Sequence, residues 1–179
     1  MKIIFKRAST NEELKQILEL QRANNATSIS EKEKQNEGFV TVQHTFEILK
    51  AMNDKCAHII ATHNDKVIGY TLSMVKEFKN TISVLKPMFQ EIDKNINEDT
   101  SYITMGQVCI DKAYRKQGVF RGLYEFMKLE LNKKYDVIIT EVDAENIRSL
   151  NAHKAIGFER LKTYSSNNQN WELIIWCWK

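Results

Sequence analysis

Three cations crowd one short stretch of the chain: Arg115, Lys116 and Arg121 surround Gly118. Phe120, Leu123, Met127 and Leu131 recur at helical intervals, so the spacing predicts a helix opening near Gly118. The start of a helix is electropositive and favours Asp or Glu, yet the first acid here is Glu125. An anion resolves the conflict. Unpaired backbone N–H groups at a helix start, the helix dipole and neighbouring Arg and Lys together make a phosphate site. Gly118 admits a close backbone approach and a left-handed conformation if one is needed. The competing reading is a solvated basic helix end. Neither Gly-x-x-x-x-Gly-Lys-Ser/Thr nor Gly-x-Gly-x-x-Gly occurs in the stretch.

A second group lies downstream. Asn146, Ser149 and His153 are spaced i, i+3, i+7, which sets an amide, a hydroxyl and an imidazole on or near one helix face. Just before them, strand alternation puts Glu141 and Asp143 on one face and Thr140 and Val142 on the other. Cys109 has no sequence-local base and reads as a small apolar strand residue, not a nucleophile. Cys56, His58 and His63 fit no standard zinc spacing, so no metal is expected. Trp171, Trp176 and Trp178 read as packing residues of a terminal strand, with a pocket-lining role as the alternative.

The elements that must position these groups follow from periodicity and punctuation. Strands are expected at 2–8, 57–62, 66–75, 102–110, 137–142, 158–164 and 171–178. Helices are expected after a Ser9 or Thr10 cap, at 42–52, in a short segment opened by Pro87, from Gly118 to about Lys133, and at 146–156 with Gly157 as a left-handed stop. A tight turn is expected at Asn64-Asp65, and loops at 24–38, 76–100 and 164–170. This order implies an α/β fold around a mixed sheet, with a parallel crossover between residues 102 and 142.

Composition narrows the class. The chain has 179 residues, 42% hydrophobic and 27% charged, with one proline and six glycines, as in a single globular domain spanning 1–179. A net charge of +3 is too weak to argue for nucleic acid. No run approaches the length of a membrane span. Three widely spaced cysteines, and an N-terminal apolar run too short for a secretory signal, make the cytoplasm the expected location. The glycosylation tripeptide at Asn25 and the mixed run Glu31-Lys32-Glu33-Lys34 carry no functional signal of their own.

Two segments resemble the GNAT superfamily of acetyltransferases. Arg115-Lys116-Gln117-Gly118-Val119-Phe120 is similar to its Gln/Arg-x-x-Gly-x-Gly/Ala loop, with Phe120 in place of the last small residue. The segment from Asn146 to Phe158 is similar to Asn-x-x-Ala-x-x-x-Tyr-x-x-x-Gly-Phe, with Ser149 for Ala and His153 for Tyr. The resemblance implies a single-domain fold with a central, mixed but mostly antiparallel twisted sheet, flanked by helices and splayed into a V-shaped slot. It implies an N-acetyltransferase that moves the acetyl group of acetyl-CoA to a primary amine by direct attack. A catalytically inactive acyl-CoA sensor of the same fold is the alternative.

On that resemblance, Arg115, Lys116, Gln117, Gly118, Val119, Phe120 and Arg121 hold the pyrophosphate of acetyl-CoA. The backbone of Val108, Cys109 and Ile110 meets pantetheine and the thioester carbonyl, and Asn146 and Ser149 meet the pantetheine arm. Glu141 is the expected base and His153 the expected acid. The acceptor is a small-molecule or peptide amine. No nucleic-acid or membrane partner is implied, and the assembly is a monomer or homodimer.

Overall fold

The computed structural model describes residues 2–25, 40 and 42–179. The stretch 26–38, with its charge run and part of the glycosylation tripeptide, lies outside the described residues. Among the described residues seven strands form one sheet: β1 (Ile4–Arg7), β2 (Ile59–His63), β3 (Lys66–Met74), β4 (Tyr102–Ile110), β5 (Val137–Asp143), β6 (Glu159–Ser166) and β7 (Gln169–Cys177). Their order is β1-β2-β3-β4-β5-β7-β6. Every neighbouring pair is antiparallel except β4 with β5. This is the mixed, mostly antiparallel sheet expected.

Local chemistry sets the helices. Helix α1 (Asn11–Ala23) starts in a capping box: Thr10 Oγ1 accepts the Glu13 N–H at 3.2 Å, and the Glu13 carboxylate accepts the Thr10 N–H at 3.1 Å. Helix α2 (Phe46–Lys55) is capped by Thr45 and so opens later than the expected 42–52. The four residues before it are held extended by buried side chains: Gln107 Nε2 donates to the Val42 carbonyl at 2.8 Å, and the His44 N–H donates to Gln21 Oε1 at 2.8 Å. Helix α3 (Lys86–Asn95) carries Pro87 in its first turn. Two 3₁₀ turns, Lys76–Asn80 and Ser83–Leu85, lead into it, so 76–100 is largely ordered turn and helix, not open loop.

Helix α4 (Val119–Leu131) joins the parallel pair β4 and β5. It lays Val119, Leu123, Tyr124, Met127 and Leu131 against β1, β2 and β3. Strand β3 is buried from Val67 to Met74, which requires cover on both faces; α1 and α2 also pack on it. Helix α5 (Ile147–Lys154) stops before Gly157, whose φ is +111°. A Cβ there would sit 2.8 Å from the Trp176 indole nitrogen.

Both hairpins turn on residue pairs that tolerate positive φ: Asn64-Asp65 (48° and 58°) and Asn167-Asn168 (52° and 59°). The second replaces the loop expected at 164–170. β6 and β7 run up to a two-residue turn instead.

The sheet opens at its middle. Strands β4 and β5 pair only from Tyr102–Val137 to Thr104–Ile139 and then part. On the other side of β4 the register slips: Thr71 faces Val108 and Ser73 faces Met105, so β4 spends three residues on two of β3. That is a β-bulge, and it bends the strand away from β5.

Candidate active site

The gap between β4 and β5 has donors along one edge. The Asp111 N–H donates to the Ile68 carbonyl at 2.8 Å across the β3 side. Antiparallel alternation then sends the Cys109 N–H to Tyr70 on β3 and turns the N–H groups of Val108 and Ile110 toward the gap. The Cys109 side chain is buried, and burial pushes its thiol up to about 12, which removes it as a nucleophile at neutral pH.

A cavity of about 290 Å³ runs from this edge to the starts of two helices. Val108, Cys109 and Ile110 line one side; Arg115, Lys116, Gly118, Val119 and Phe120 line the next; Asn146 and Ser149 close it. Gly118 caps α4 with φ +80° and has nothing within 4 Å of where a Cβ would stand. The first intrahelical acceptor bond of α4 is Gly122 N–H to the Gly118 carbonyl at 2.9 Å, so the amides before Gly122 are the unpaired ones of the first turn. The Phe120 ring turns under the loop, with centroids 5.0 Å from both His153 and Tyr124. A bulky residue is thereby accommodated at a position where a small one was expected.

The expected cation cluster divides. Lys116, exposed and at φ +61°, lines the cavity. Arg115 also lines it while bracing the loop: Nε donates to the Ile110 carbonyl at 3.2 Å and Nη2 to Asn24 Oδ1 at 2.8 Å. Arg121 does not line it. Its Nη2 donates to the Ala155 carbonyl at 2.9 Å, at the electronegative end of α5. Gln117 does not line it either; its Nε2 donates to the Ala113 carbonyl at 2.9 Å. Their side chains are thus used for structure, and part of the opening electrostatic conflict is settled within the protein itself.

Sequence reasoning missed Asn24, Tyr114 and Arg148, which also line this cavity. A signal for Arg148 existed. It sits in the first turn of α5, which holds no acid, the same mismatch that drew attention to Arg115.

Asn146 is the cap of α5, its Oδ1 accepting the Ser149 N–H at 3.1 Å. Together with Ser149 it also lines a second cavity, of about 250 Å³, that contains Glu141, Asp143, His153 and Tyr164. The expected polar stripe therefore exists, and so does the shared face of Glu141 and Asp143. Trp171 lines this cavity, whereas Trp176 and Trp178 pack edge to face, 6.0 Å between centroids.

Glu141 is partly buried, and its carboxylate accepts a hydrogen bond from the Tyr164 hydroxyl. Burial raises its pKa, the Tyr164 hydrogen bond opposes this, and the balance stands at about 7. His153 is only 1% exposed. Nδ1 lies 2.8 Å from the Ser149 carbonyl, which can only accept, so Nδ1 carries the proton and Nε2 accepts from the Tyr124 hydroxyl at 2.6 Å. Burial lowers this imidazole to about 4. The ring is thus held neutral near pH 7 with both nitrogens engaged.

Among the described residues no group of His, Cys, Asp and Glu is placed to hold a metal. His58 Nε2 lies 3.1 Å from the Leu49 carbonyl, and His63 Nδ1 lies 2.9 Å from the Tyr114 hydroxyl. No helix among the described residues is long and apolar enough to cross a membrane.

This architecture is shared with solved structures. One is a chain of the NatC complex bound to Gag peptide and CoA (TM-score 0.70, 17% identity, 99% of each chain covered). Another is the ribosomal-protein-S18-alanine N-acetyltransferase from Escherichia coli (0.65, 14%, 98% of this chain and 94% of that one). A third is the yncA protein from Salmonella typhimurium with its cofactor acetyl-CoA (0.65, 11%, 99% and 94%). At these identities the likeness concerns the fold. No curated protein matches the sequence significantly. The model of the acetyltransferase (GNAT) family matches residues 15–158, from α1 through the Gly157-Phe158 end of the second motif. With most of its length matched, the split sheet and the motif loop in their expected places, the chain belongs to the GNAT acetyltransferase family.

Proposed function

We propose that the chain, as one domain over 1–179, transfers the acetyl group of acetyl-CoA to a primary amine by direct attack in a ternary complex. The first cavity takes the coenzyme, with its diphosphate at the unpaired amides around Gly118 and near Lys116, Arg115 and Arg148. The N–H groups of Val108 and Ile110 are turned toward the gap, where they serve the pantetheine arm and the thioester oxygen as negative charge develops there. The amine enters through the second cavity.

The amine lone pair attacks the carbonyl carbon, the C–N bond forms and the C–S bond then breaks. Before that attack Glu141 takes one proton from the incoming ammonium, directly or through water, which frees the lone pair; the second proton that the nitrogen sheds after the C–N bond forms ends on the departing thiolate, giving CoA thiol. The thiolate leaves toward the wall shared by the two cavities, where Ser149 stands. The Ser149 O–H can donate to the sulfur. His153, whose Nδ1–H donates to the Ser149 carbonyl at 2.8 Å, holds that residue in place and so acts as a positioning residue.

The observation that carries this reading is the carboxyl of Glu141, poised near 7 at a cavity that meets the coenzyme slot. Thiol release from acetyl-CoA with a panel of amines tests it. E141Q should lower kcat about a hundredfold and leave CoA affinity unchanged; a variant as fast as the parent would sink the assignment. The buried, neutral His153 at the position of the family's tyrosine favours the acyl-CoA sensor as the second reading. The sensor predicts tight CoA binding with no thiol release for any amine.

A further inference from the structure

A chain of buried polar side chains ties the wall of the second cavity to the split strand. Gln21, His44, Tyr70 and Gln107 come from α1, the segment before α2, β3 and β4, and all four are buried. Two backbone groups fix the direction of the bonds between them. The Val42 carbonyl can only accept, so Gln107 Nε2 donates to it, at 2.8 Å. Gln107 Oε1 then accepts twice, from the Tyr70 hydroxyl at 2.6 Å and from Gln21 Nε2 at 2.7 Å. The His44 N–H can only donate, and Gln21 Oε1 accepts it at 2.8 Å. Gln21 Nε2 also meets His44 Nδ1, at 3.0 Å. Burial lowers that imidazole to about 4, so the ring is neutral near pH 7 and Nδ1 accepts.

Place gives this network its role. Residues 42–45 form neither helix nor strand, and Val42 lines the second cavity. Gln107 lines the same cavity and stands in the β4 bulge, between Met105 and Val108. Buried hydrogen bonds of this kind hold one geometry, and a half-broken network costs more than an apolar one. Resting on the transfer reading above, we infer that Gln107 is a positioning residue of the acceptor site: its amide clamps residues 42–45 onto the bulged strand and so sets the wall against which the amine is held. Gln21, which lines neither cavity, is the far anchor of the clamp. The two glutamines act as a unit, because the bond between them orients both amides.

Removing either end tests this on the full chain. Q107M and Q21M keep the length of the side chain and delete its amide. Thiol release is followed with benzylamine and with glycinamide as acceptors at saturating acetyl-CoA. Each variant should raise the amine KM about tenfold with kcat within about threefold. The double variant should add little to either single one, and CoA affinity should stay within about twofold. An unchanged KM in Q107M overturns the inference, and so does a loss of kcat or of CoA affinity as large as the rise in KM. A rise in Q107M without one in Q21M would make Gln107 a direct contact of the amine and overturn the clamp. Y70F deletes one hydroxyl of the network and stands in for a methionine variant that does not fold; it should move the same readouts about threefold, and no movement overturns the inference. If the parent acetylates no amine, the transfer reading is what fails, and backbone hydrogen exchange decides the clamp alone. The peptide covering residues 42–45 should then exchange about tenfold faster in Q107M, or about threefold in Y70F, with α4 as protected as in the parent; exchange as slow as in the parent overturns the clamp.

Discussion

The first cavity gathers Arg115, Lys116 and Arg148, whereas the second carries Glu141 and Asp143 and, among the described residues, no Lys or Arg. The two nevertheless share Val40, Val108, Asn146 and Ser149. Under the proposed function, a single split in the sheet would serve two substrates of opposite charge. The polyanion would be drawn to the helix starts and the ammonium to the carboxylate, so each would be steered to its own side before any close contact forms. The reacting atoms would meet at the shared wall, and holding both reactants there would remove much of the entropic barrier.

The largest expected effect breaks the cationic half. Gly118 has φ +80° and open space around it, so G118D creates no clash, and Asp tolerates that backbone region better than most residues. It does set a negative charge among the amides meant for phosphate. CoA affinity should fall about a hundredfold, with the fold retained by circular dichroism. Retained affinity would show that the diphosphate binds elsewhere.

The acidic half breaks differently. Glu141 must be ionised to accept a proton, so activity should rise as pH climbs through about 7 and level off above it. The Tyr164 hydrogen bond favours the carboxylate, opposing burial. Y164F should therefore move the rising limb to higher pH by about one unit, costing activity at neutrality and little well above it. CoA affinity should not change. A limb that stays in place would remove Glu141 as the titrating group.

The two halves also differ in how far the sequence revealed them. The cations of the first half come from two contiguous segments, around Gly118 and from Asn146 to Ser149, and local spacing pointed to both segments. The acidic half is assembled from β4, β5, the turn into α3 and the β6–β7 hairpin. Glu141, Asp143, His153, Asn146 and Ser149 were visible there through strand or helix periodicity, and Trp171 as a pocket-lining alternative. Tyr164, the partner of Glu141, comes from a different strand, and its role depends on the register that sets β6 beside β7 and β7 beside β5. No local pattern carries that register. The strand boundaries of β4 were legible to the residue because the mostly apolar run Tyr102–Ile110 is flanked by the polar pairs Thr100-Ser101 and Asp111-Lys112. The start of α2 was misjudged by four residues because Gln21 and Gln107 pull Val42 and His44 out of the helix, a tertiary effect. The place of His153 follows from spacing, whereas its lowered pKa follows from burial beneath Phe120, Tyr124 and Phe158, which no local pattern carries.

The smallest expected effect sharpens the boundary of the cationic half. By sequence, Arg121 belongs with Arg115 and Lys116; in the fold its guanidinium donates to the Ala155 carbonyl and lies outside the cavity. R121A should then leave CoA affinity within about twofold while removing one hydrogen bond at the end of α5. That bond is exposed, with the arginine side chain 54% accessible, so the stability loss should be about 0.5–1 kcal/mol, or a few degrees in Tm. Thermal unfolding with and without CoA separates the two roles. A variant equally stable but several-fold weaker for CoA would return Arg121 to the coenzyme site, and with it the purely electrostatic account of the cation cluster. A variant less stable by the same margin with and without CoA would fix Arg121 as a brace between α4 and α5.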